Sequence, residues 1–152
     1  MIYHRKPTTQ DHVIDLAERL RESDRHELLA SSGLEPLENM MLSLKLSTEC
    51  WSEFADGKLM CIWGVVKDEL GGIVWMLGGD GLERHTIPLL RRCRPEVHNL
   101  VHKYRTLRNM VDARNTASIN WLKRLGFTVE APVPFGVWGL PFHFFWMRAA
   151  NV

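Results

Sequence analysis

The sequence predicts a mixed α/β domain of the α+β class, with a central, mostly antiparallel sheet of about six to seven strands flanked by helices. The first third of the chain carries helical patterns after one short strand, and the middle carries three apolar runs separated by turn sequences. The last third alternates helices with strands. Because no repeat, linker or low-complexity tract divides the chain, we expect a single domain over residues 1–152.

The N-terminal third is predicted to hold one strand and three helices. Met1–Arg5 has the pattern of a short strand, and Pro7 ends it. Apolar residues then recur on one helical face in successive segments. The signals that bound these helices are a capping box from Thr8 to Asp11, a second from Asp24 to Glu27, Gly33 as a stop and Pro36 as a start.

The middle of the chain predicts a meander of strands. These strands cover Cys50–Ala55, Leu59–Val66 and Ile73–Leu77, with turns at Asp56-Gly57 and Gly71-Gly72. Their apolar character indicates that at least one face of the sheet is buried.

The second half of the chain alternates helix and strand. A helical region follows the meander, and we expect it in two pieces because Pro95 interrupts it. The remaining elements are predicted as a strand over Asn109–Ala113, a helix over Thr116–Leu125, a strand over Phe127–Ala131, a loop over Pro132–Pro141 and a final strand over Phe142–Met147.

Composition narrows the classes of protein. Hydrophobic residues make up 45% of the chain and charged residues 24%, as in folded globular proteins. The net charge of +1 gives no overall attraction to nucleic acid or to a membrane. The three cysteines lack CxxC spacing, and Met1–Pro7 lacks the apolar core of a signal peptide. We therefore expect reduced thiols and a cytoplasmic location.

The segment Asp112–Phe127 carries the most specific pattern. Asn115 can cap a helix by accepting a backbone N–H from its first turn, and Gly126 ends that helix. This sequence motif has Asn, two further residues, a small residue and then a helix that ends in Leu-Gly-Phe. It resembles the helix near the C-terminus of GNAT-type N-acyltransferases. The resemblance implies a GNAT-like fold in which Asn115 and Ser118 approach the pantetheine arm of acetyl-CoA.

One catalytic position of that family is vacant in this sequence. GNAT enzymes often carry an aromatic hydroxyl as general acid later in the same helix. The matching position is Leu122, and leucine cannot donate a proton. The indole of the adjoining Trp121 is not an acid near neutral pH.

A second GNAT hallmark is a glycine-containing loop that holds pyrophosphate at a helix N-terminus. The corresponding segment, Leu77–Thr86, departs from the family pattern. Asp80 and Glu83 bring carboxylates toward the place of the phosphates, and Pro88 removes a backbone donor. We therefore expect acetyl-CoA to bind weakly or not at all, and the loop to be a strand-to-helix turn. If acetyl-CoA is a cofactor, its loop contacts are Gly78, Gly79, Gly81 and Arg84.

Short sequence motifs spread over nearly the whole chain form a further pattern. These motifs are Asp24-Arg25-His26-Glu27, Phe54-Ala55-Asp56-Gly57, Gly72–Gly78, Leu107-Arg108-Asn109 and Asn115 through Phe127. This pattern resembles the internal virion protein A group of short-tailed phages. That group is similar to GNAT proteins in fold and is associated with virion morphogenesis. The resemblance implies other phage virion proteins as partners, and the host-cell cytoplasm or the virion as location.

Three further features each allow two interpretations. Glu53 lies on a predicted central strand, where it is either a general base or part of the solvent face. The stretch Arg84–Arg108 has seven Lys or Arg residues against one acid, so it is either a positive face for CoA phosphates, DNA or an acidic partner, or a solvated helix face. The near-neutral total charge of the chain favours the solvated face. His98 and His102 have the spacing of a metal-binding pair, but no Cys or acidic partner accompanies them, so we expect no metal site.

The loop Pro132–Pro141 contains three large apolar residues, Phe135, Trp138 and Leu140. They either cap the core between the last two strands or form an exposed patch that docks another protein.

Two functions remain open from the sequence. The first is a phage virion-assembly protein with a GNAT-like fold and degenerate catalytic machinery, which the vacant acid position and the altered loop favour. The alternative is an active acetyl-CoA-dependent N-acyltransferase that acts on an unknown amine, with Glu53 as its base.

Overall fold

The computed structural model describes residues 1–150, and the last two residues of the predicted domain lie outside that range. The elements in chain order are β1 (Tyr3–Pro7), α1 (Gln10–Glu18), α2 (Glu22–Ser32), α3 (Pro36–Leu46), β2 (Glu49–Ala55), β3 (Lys58–Asp68), β4 (Gly71–Gly78), α4 (Thr86–Tyr104), β5 (Thr106–Asp112), α5 (Thr116–Leu125), β6 (Thr128–Phe135) and β7 (Leu140–Arg148). A short 3₁₀ turn, Leu82–His85, leads into α4.

All the strands belong to one sheet, in the order β1-β2-β3-β4-β5-β7-β6. Neighbouring strands run antiparallel except β4 and β5, which are parallel because α4 connects them as a crossover. This arrangement confirms the predicted α+β class and the mostly antiparallel sheet. It also places the only parallel pair of the described residues at the centre of the sheet.

Helices cover both faces of the sheet. On one face α1, α2 and α3 pack against the sheet through a core that includes Leu16, Met40 and Ile62. On the other face α4 and α5 pack over a second core that includes Trp63 and Leu100. Both cores consist of buried apolar side chains, which supply most of the stability of such a domain.

The helix that carries the GNAT-like pattern has the predicted bounds. The Asn115 side-chain oxygen accepts the backbone N–H of Ser118 at 3.3 Å, and Gly126 adopts a φ of 100° that ends α5. The cap of α1 differs from prediction, because Thr9 and His12 form the capping box. Thr8 instead donates its N–H to the Cys50 carbonyl and so continues the pairing of β1.

Two predictions in the second half of the chain were wrong. Pro95 does not divide the helical region, and α4 is continuous from Thr86 to Tyr104. Pro95 lies on the exposed side of that helix, where water can bond the carbonyl that loses its N–H partner. The predicted loop Pro132–Pro141 is mostly the β6–β7 hairpin, since strands occupy all but residues 136–139.

Within residues 1–150, none of the helices combines the length and the apolar character that crossing a membrane requires.

Candidate active site

Strands β4 and β5 share very little ladder. They pair at Gly72 and Ile73 of β4 and then diverge toward their C-terminal ends. At the point of divergence the Asn109 side-chain amide donates to the Val74 carbonyl at 2.7 Å, so a side chain replaces the next ladder bond. Beyond that bond, the facing edges of the two strands border a cleft that passes through the sheet.

One end of the cleft opens on the face covered by α4 and α5, and we call it the α4–α5 cavity. It has a volume of about 200 Å³ and is bordered by the N-terminal turns of both helices, whose dipoles favour anions. Its polar lining consists of Arg21, Glu83, Thr86, Ser118, Asn120 and Arg124. Two guanidinium groups therefore outnumber the single carboxylate in this cavity.

The other end opens on the face covered by α2 and α3, and we call it the α2–α3 cavity. Its volume is about 260 Å³. Its walls include the aromatic rings of Trp75, Phe135 and Phe142, and its polar side chains are Glu27, Ser31, Asn39, Ser43, Asn109 and Ser118. Met76, Ser118 and Trp121 line both cavities, so the two cavities are neighbours that share walls contributed by β4 and α5.

Glu27 on α2 is the carboxylate of the α2–α3 cavity. Its Oε1 atom accepts the backbone N–H of Asp112 at 2.8 Å and the side-chain amide of Asn115 at 3.4 Å. Burial raises the pKa of Glu27 to about 7, the two hydrogen bonds oppose that rise, and the neighbouring Asp24 and Asp112 add to it. Glu27 makes no ion pair within residues 1–150. Its carboxylate is therefore poised to exchange a proton near neutral pH.

Asp24, one helical turn before Glu27, bridges the mouth of the cleft. Its Oδ2 atom accepts the backbone N–H of Gly78 at 2.8 Å and two bonds from the Arg21 guanidinium, while Oδ1 accepts the Asn115 amide at 3.1 Å. The side chain is almost fully buried. Asp24 thus ties the end of β4 to the start of α5 and holds Asn115 beside Glu27.

The glycine-containing loop is held by internal hydrogen bonds. Its backbone N–H groups at Gly78, Gly79, Asp80, Leu82 and Arg84 donate respectively to Asp24 Oδ2 and to the carbonyls of Met60, Arg19, Gly79 and Gly81. These five backbone amides are already engaged and are not free to bind a phosphate. This agrees with the departure of the loop sequence from the GNAT loop pattern.

The two loop carboxylates are placed differently. Asp80 turns away from the cavity and bonds Arg19 at 2.8 Å, and this bond holds the pKa of Asp80 below its usual value. Glu83 lines the α4–α5 cavity. Of the predicted loop contacts, Gly78 and Gly79 are buried, while Arg84 is exposed and outside the cavity lining.

The predicted residues of α5 separate into three roles. Asn115 is buried and caps the helix, and its amide serves Asp24 and Glu27 rather than the cavities. Ser118 lines both cavities. Leu122 lines the α2–α3 cavity with an apolar side chain, so the position of the family's general acid stays vacant.

Glu53, the predicted base, lies away from the cleft. Its side chain is buried on β2, where Oε1 accepts bonds from Arg5 at 2.6 Å and the Trp63 indole at 3.2 Å, and Oε2 accepts one from Arg92 at 3.3 Å. It belongs to the lining of neither cavity. Glu53 therefore does not border the cleft, and its role as a base stays a prediction.

The predicted docking residues lie in and beside the β6–β7 turn. Phe135 packs against Phe142, with ring centroids 5.2 Å apart, and lines the α2–α3 cavity. The backbone of Gly136 lies against α2, where an added Cβ would be 2.8 Å from the Cα of Ser31. Leu140 is partly buried, whereas Trp138 is 58% exposed. Phe135 thus packs against the buried Phe142 and is still 40% exposed, whereas Trp138 is the more exposed of the two.

Three of the seven basic residues in the stretch Arg84–Arg108 form ion pairs. Arg92 bonds Glu53, Lys103 bonds Glu49 and Arg108 bonds Asp68. The rings of His98 and His102 lie 4.4 Å apart on the surface of α4. Within residues 1–150, no group of three or more His, Cys, Asp or Glu side chains is arranged to hold a metal ion.

Sequence reasoning missed Glu27 and Arg21 as site residues. Glu27 stands in a capping pattern, which predicts only a helix start, and the helix in fact begins at Glu22. The signal that could have found it is the concentration of acidic side chains, Asp24 and Glu27, on the face of α2 that carries the buried Leu28.

Of the comparisons with known proteins, only the comparison with solved structures finds matches, and these concern the fold. The sequence matches no family model and no curated protein. Solved structures match over nearly the whole chain. The ribosomal-protein-S18-alanine N-acetyltransferase from Escherichia coli aligns with a TM-score of 0.70 at 12% identity, over 99% of this chain and 96% of that one.

Two further solved acetyltransferase structures are similar to this chain in fold. An acetyltransferase of the GNAT family from Streptococcus pneumoniae gives a TM-score of 0.66 at 15% identity, over 98% of this chain and 100% of that chain. A GNAT-superfamily phosphinothricin acetyltransferase from Sinorhizobium meliloti, solved in complex with acetyl-CoA, gives 0.69 at 14% identity, over 99% and 90% of the two chains. At this level of identity the likeness concerns the fold, and the chain has the GNAT acetyltransferase fold.

Proposed function

We propose that the chain is an acetyl-CoA-dependent N-acyltransferase in which Glu27 accepts a proton from the acceptor amine. The observation that carries this proposal is the position of Glu27. Its carboxylate borders the cleft between β4 and β5, with a pKa near 7 and no cation paired to it in the described residues. A group that both reaches a substrate-sized cavity and titrates near neutral pH is suited to general base catalysis.

The residues around the cleft fit an acyl-CoA. The two cavities adjoin at shared residues of β4 and α5, where a slender pantetheine arm would run. Arg21, Arg124 and the hydroxyl of Thr86 would meet the phosphates from the α4–α5 cavity, and Ser118 would meet the arm where it crosses. The acetyl-CoA complex of the Sinorhizobium meliloti neighbour supports this choice of donor. When bound, acetyl-CoA supplies an acyl group activated as a thioester.

Glu27 performs the proton transfer in this scheme. With a pKa of about 7, close to half of its population is ionised at neutral pH and can attract an ammonium group. When Glu27 takes a proton from that ammonium, the nitrogen gains the lone pair it needs to attack an acyl carbon. The vacant acid position at Leu122 does not block the reaction, since a thiol with a pKa of about 8.5 can depart as the thiolate.

The test compares two Glu→Gln variants of the same helix. Glu27→Gln keeps an oxygen that can accept the Asp112 N–H but loses the base, and kcat for acetyl transfer to a primary amine is expected to fall about 10²- to 10⁴-fold. Glu22→Gln is the matched control, because Glu22 is exposed on α2 and pairs only with His26 at 3.7 Å. Release of free thiol from acetyl-CoA measures the rate. An unchanged kcat in Glu27→Gln would rule out the proposed base.

A second candidate is a phage virion-assembly protein that binds other virion proteins in the host cytoplasm or the particle. Its support is the resemblance to the internal virion protein A group together with the exposed apolar side chains of the β6–β7 turn, Val137 and Trp138. Pull-down from phage-infected cells, with the native chain and with Trp138→Ala, tests this candidate. It predicts recovery of virion components by the native chain and loss with Trp138→Ala, and recovery of none by either chain would remove its support.

A further inference from the structure

We infer that the acceptor is a small primary amine that carries an apolar, preferably aromatic, body and no carboxylate. The chemistry of this inference rests on the proposed acyltransferase function. Its selectivity rests on the α2–α3 cavity, whose size, charge and walls can be read independently of any reaction.

The size of the cavity limits the acceptor. Its volume of about 260 Å³ falls below the range of roughly 300–1,000 Å³ that drug-sized ligands require. The acyl group to be transferred also has to share this space with the acceptor. A compact amine fits this volume, and a folded protein segment does not.

The β6–β7 hairpin closes one side of the cavity to an extended peptide. Phe135 lines the cavity, and the adjoining Gly136 lies directly on the backbone of Ala30 and Ser31 at the end of α2. This contact joins the β6–β7 turn to α2 at the rim of the cavity, beside Ser31, which also lines it. A peptide chain that left the cavity along this rim would have to displace the turn.

Charge excludes an acceptor that carries a carboxylate. Among the described residues that line the α2–α3 cavity, the only ionisable side chain is the acidic Glu27, and none is Lys or Arg. An amino acid places its carboxylate two bonds from its amine, so both would enter the same space. Without a cation that carboxylate would be desolvated and repelled by Glu27. A simple ammonium group meets only attraction.

The walls favour an apolar and preferably aromatic body. Trp75, Phe135 and Phe142 give the cavity rings on several sides, which suit an aromatic guest and can also stabilise an ammonium group by cation–π contact. α3 contributes two neutral polar side chains to the cavity, Asn39 and Ser43. The Ser43 hydroxyl donates to the Asn39 amide oxygen at 3.4 Å. They accommodate a hydroxyl substituent but no anion.

The experiment measures binding without acetyl-CoA, so that it can be read whether or not acyl transfer occurs. The probes are 2-phenylethylamine, phenylalanine, which is the same molecule with an α-carboxylate, and a tetrapeptide with an N-terminal phenylalanine. Isothermal calorimetry is expected to show 2-phenylethylamine binding about a hundredfold more tightly than phenylalanine, whose carboxylate would be an unpaired charge in a desolvated site. It should also bind more tightly than the tetrapeptide, whose chain meets the β6–β7 turn. Equal or tighter binding of phenylalanine or of the tetrapeptide would overturn the inference, as would no binding of 2-phenylethylamine at millimolar concentration.

Two variants connect that binding to the cavity. Ser43→Leu fills part of the cavity and is expected to weaken 2-phenylethylamine binding at least about tenfold. Glu38→Leu, on the exposed side of the same helix, should leave it unchanged. Equal effects of the two variants would place the binding elsewhere and overturn the assignment. Selective amine binding without measurable acetyl transfer would count against the proposed function alone, because the cavity would still have the inferred selectivity.

Discussion

The β4–β5 cleft and the β1–β2 edge of the sheet each contain a carboxylate that is shielded from water, with opposite surroundings. Glu27 in the cleft is bonded by a backbone amide and an asparagine amide, and it borders a cavity. Glu53 at the edge is bonded by two arginines and an indole, and it borders none. Each carboxylate has hydrogen-bond donors for its oxygens, but only Glu27 borders a cavity that a ligand can enter.

The difference shows why residue type on a central strand is a poor guide to catalysis. A glutamate bonded by two guanidinium groups, as Glu53 is, joins β1, β2 and α4. A buried glutamate with neutral donors and acidic neighbours, as Glu27 is, has a pKa of about 7, close to neutral pH. The partners of each side chain, more than its position on an element, separate the structural carboxylate from the reactive one.

The largest expected effect on stability comes from removing the structural carboxylate. Glu53→Gln leaves Arg5 and Arg92 without their shared anion, and we expect a loss of about 3 kcal/mol in the free energy of unfolding. This is the lower end of the range for a broken buried ion pair, because both arginines keep some contact with water. Urea denaturation at pH 7 measures the change, with Glu27→Gln beside it. Losses of equal size in the two variants would contradict the proposed division of roles.

The next effect concerns how stability depends on pH. The folded pKa of Glu27, about 7, lies above its ordinary value of 4.5, so the folded state holds this proton more tightly than the unfolded chain. The resulting stabilisation is fully present below about pH 4.5 and is lost as the pH rises through 7. For Glu27 alone the loss amounts to at most about 3 kcal/mol, and less where solvent reaches the carboxylate.

Comparison of the native chain with Glu27→Gln isolates that contribution, because every other titrating group is common to both. The unfolding free energy of the variant, measured between pH 4.5 and 8, should rise relative to the native value as the pH increases. A constant difference across this interval would show that Glu27 titrates at its ordinary pKa, and the proposed base would lose its electrostatic support.

The local elements of the fold were largely predictable from the sequence. The bounds of α5 follow from Asn115 and Gly126, and the stop of α2 follows from Gly33, because caps and left-handed turns depend on residues close together in the chain. Pro95 misled the prediction because its effect depends on which side of α4 faces water. That side is set by tertiary packing, which a local pattern does not contain.

The site was less predictable because its contacts join distant parts of the chain. Glu27 and the Asp112 amide are 85 positions apart, and Asp24 and the Asn115 amide are 91 apart. Glu53 illustrates the converse, since its strand was predicted well but its partners Arg5 and Arg92 come from β1 and α4. A pattern read along the chain can place such residues on elements, but it cannot say which of them meet.

Asn115 offers the finest test of the comparison, because its amide is one of the two neutral donors to Glu27, whereas Glu53 is bonded by two arginines. Asn115→Ser keeps an oxygen that can cap α5 but removes the amide that donates to Asp24 and Glu27. We expect a loss of about 1–3 kcal/mol in unfolding free energy, since buried carboxylate oxygens lose a partner. The pKa of Glu27 should also rise, because the hydrogen bond from Asn115 lowers it.

The two readouts of Asn115→Ser separate a positioning residue from a mere helix cap. Asn115→Ala removes the cap as well and should cost about 1 kcal/mol more, but it should move the pKa of Glu27 by the same amount as Asn115→Ser. The pKa is measured from the carboxyl resonance of ¹³C-labelled glutamate, or from the midpoint of the pH–rate profile where transfer is detectable. If only stability changes, Asn115 serves the helix alone. If the Glu27 midpoint moves upward in both variants, the Asn115 amide lowers the proton affinity of the cleft carboxylate and is a positioning residue as well as a helix cap.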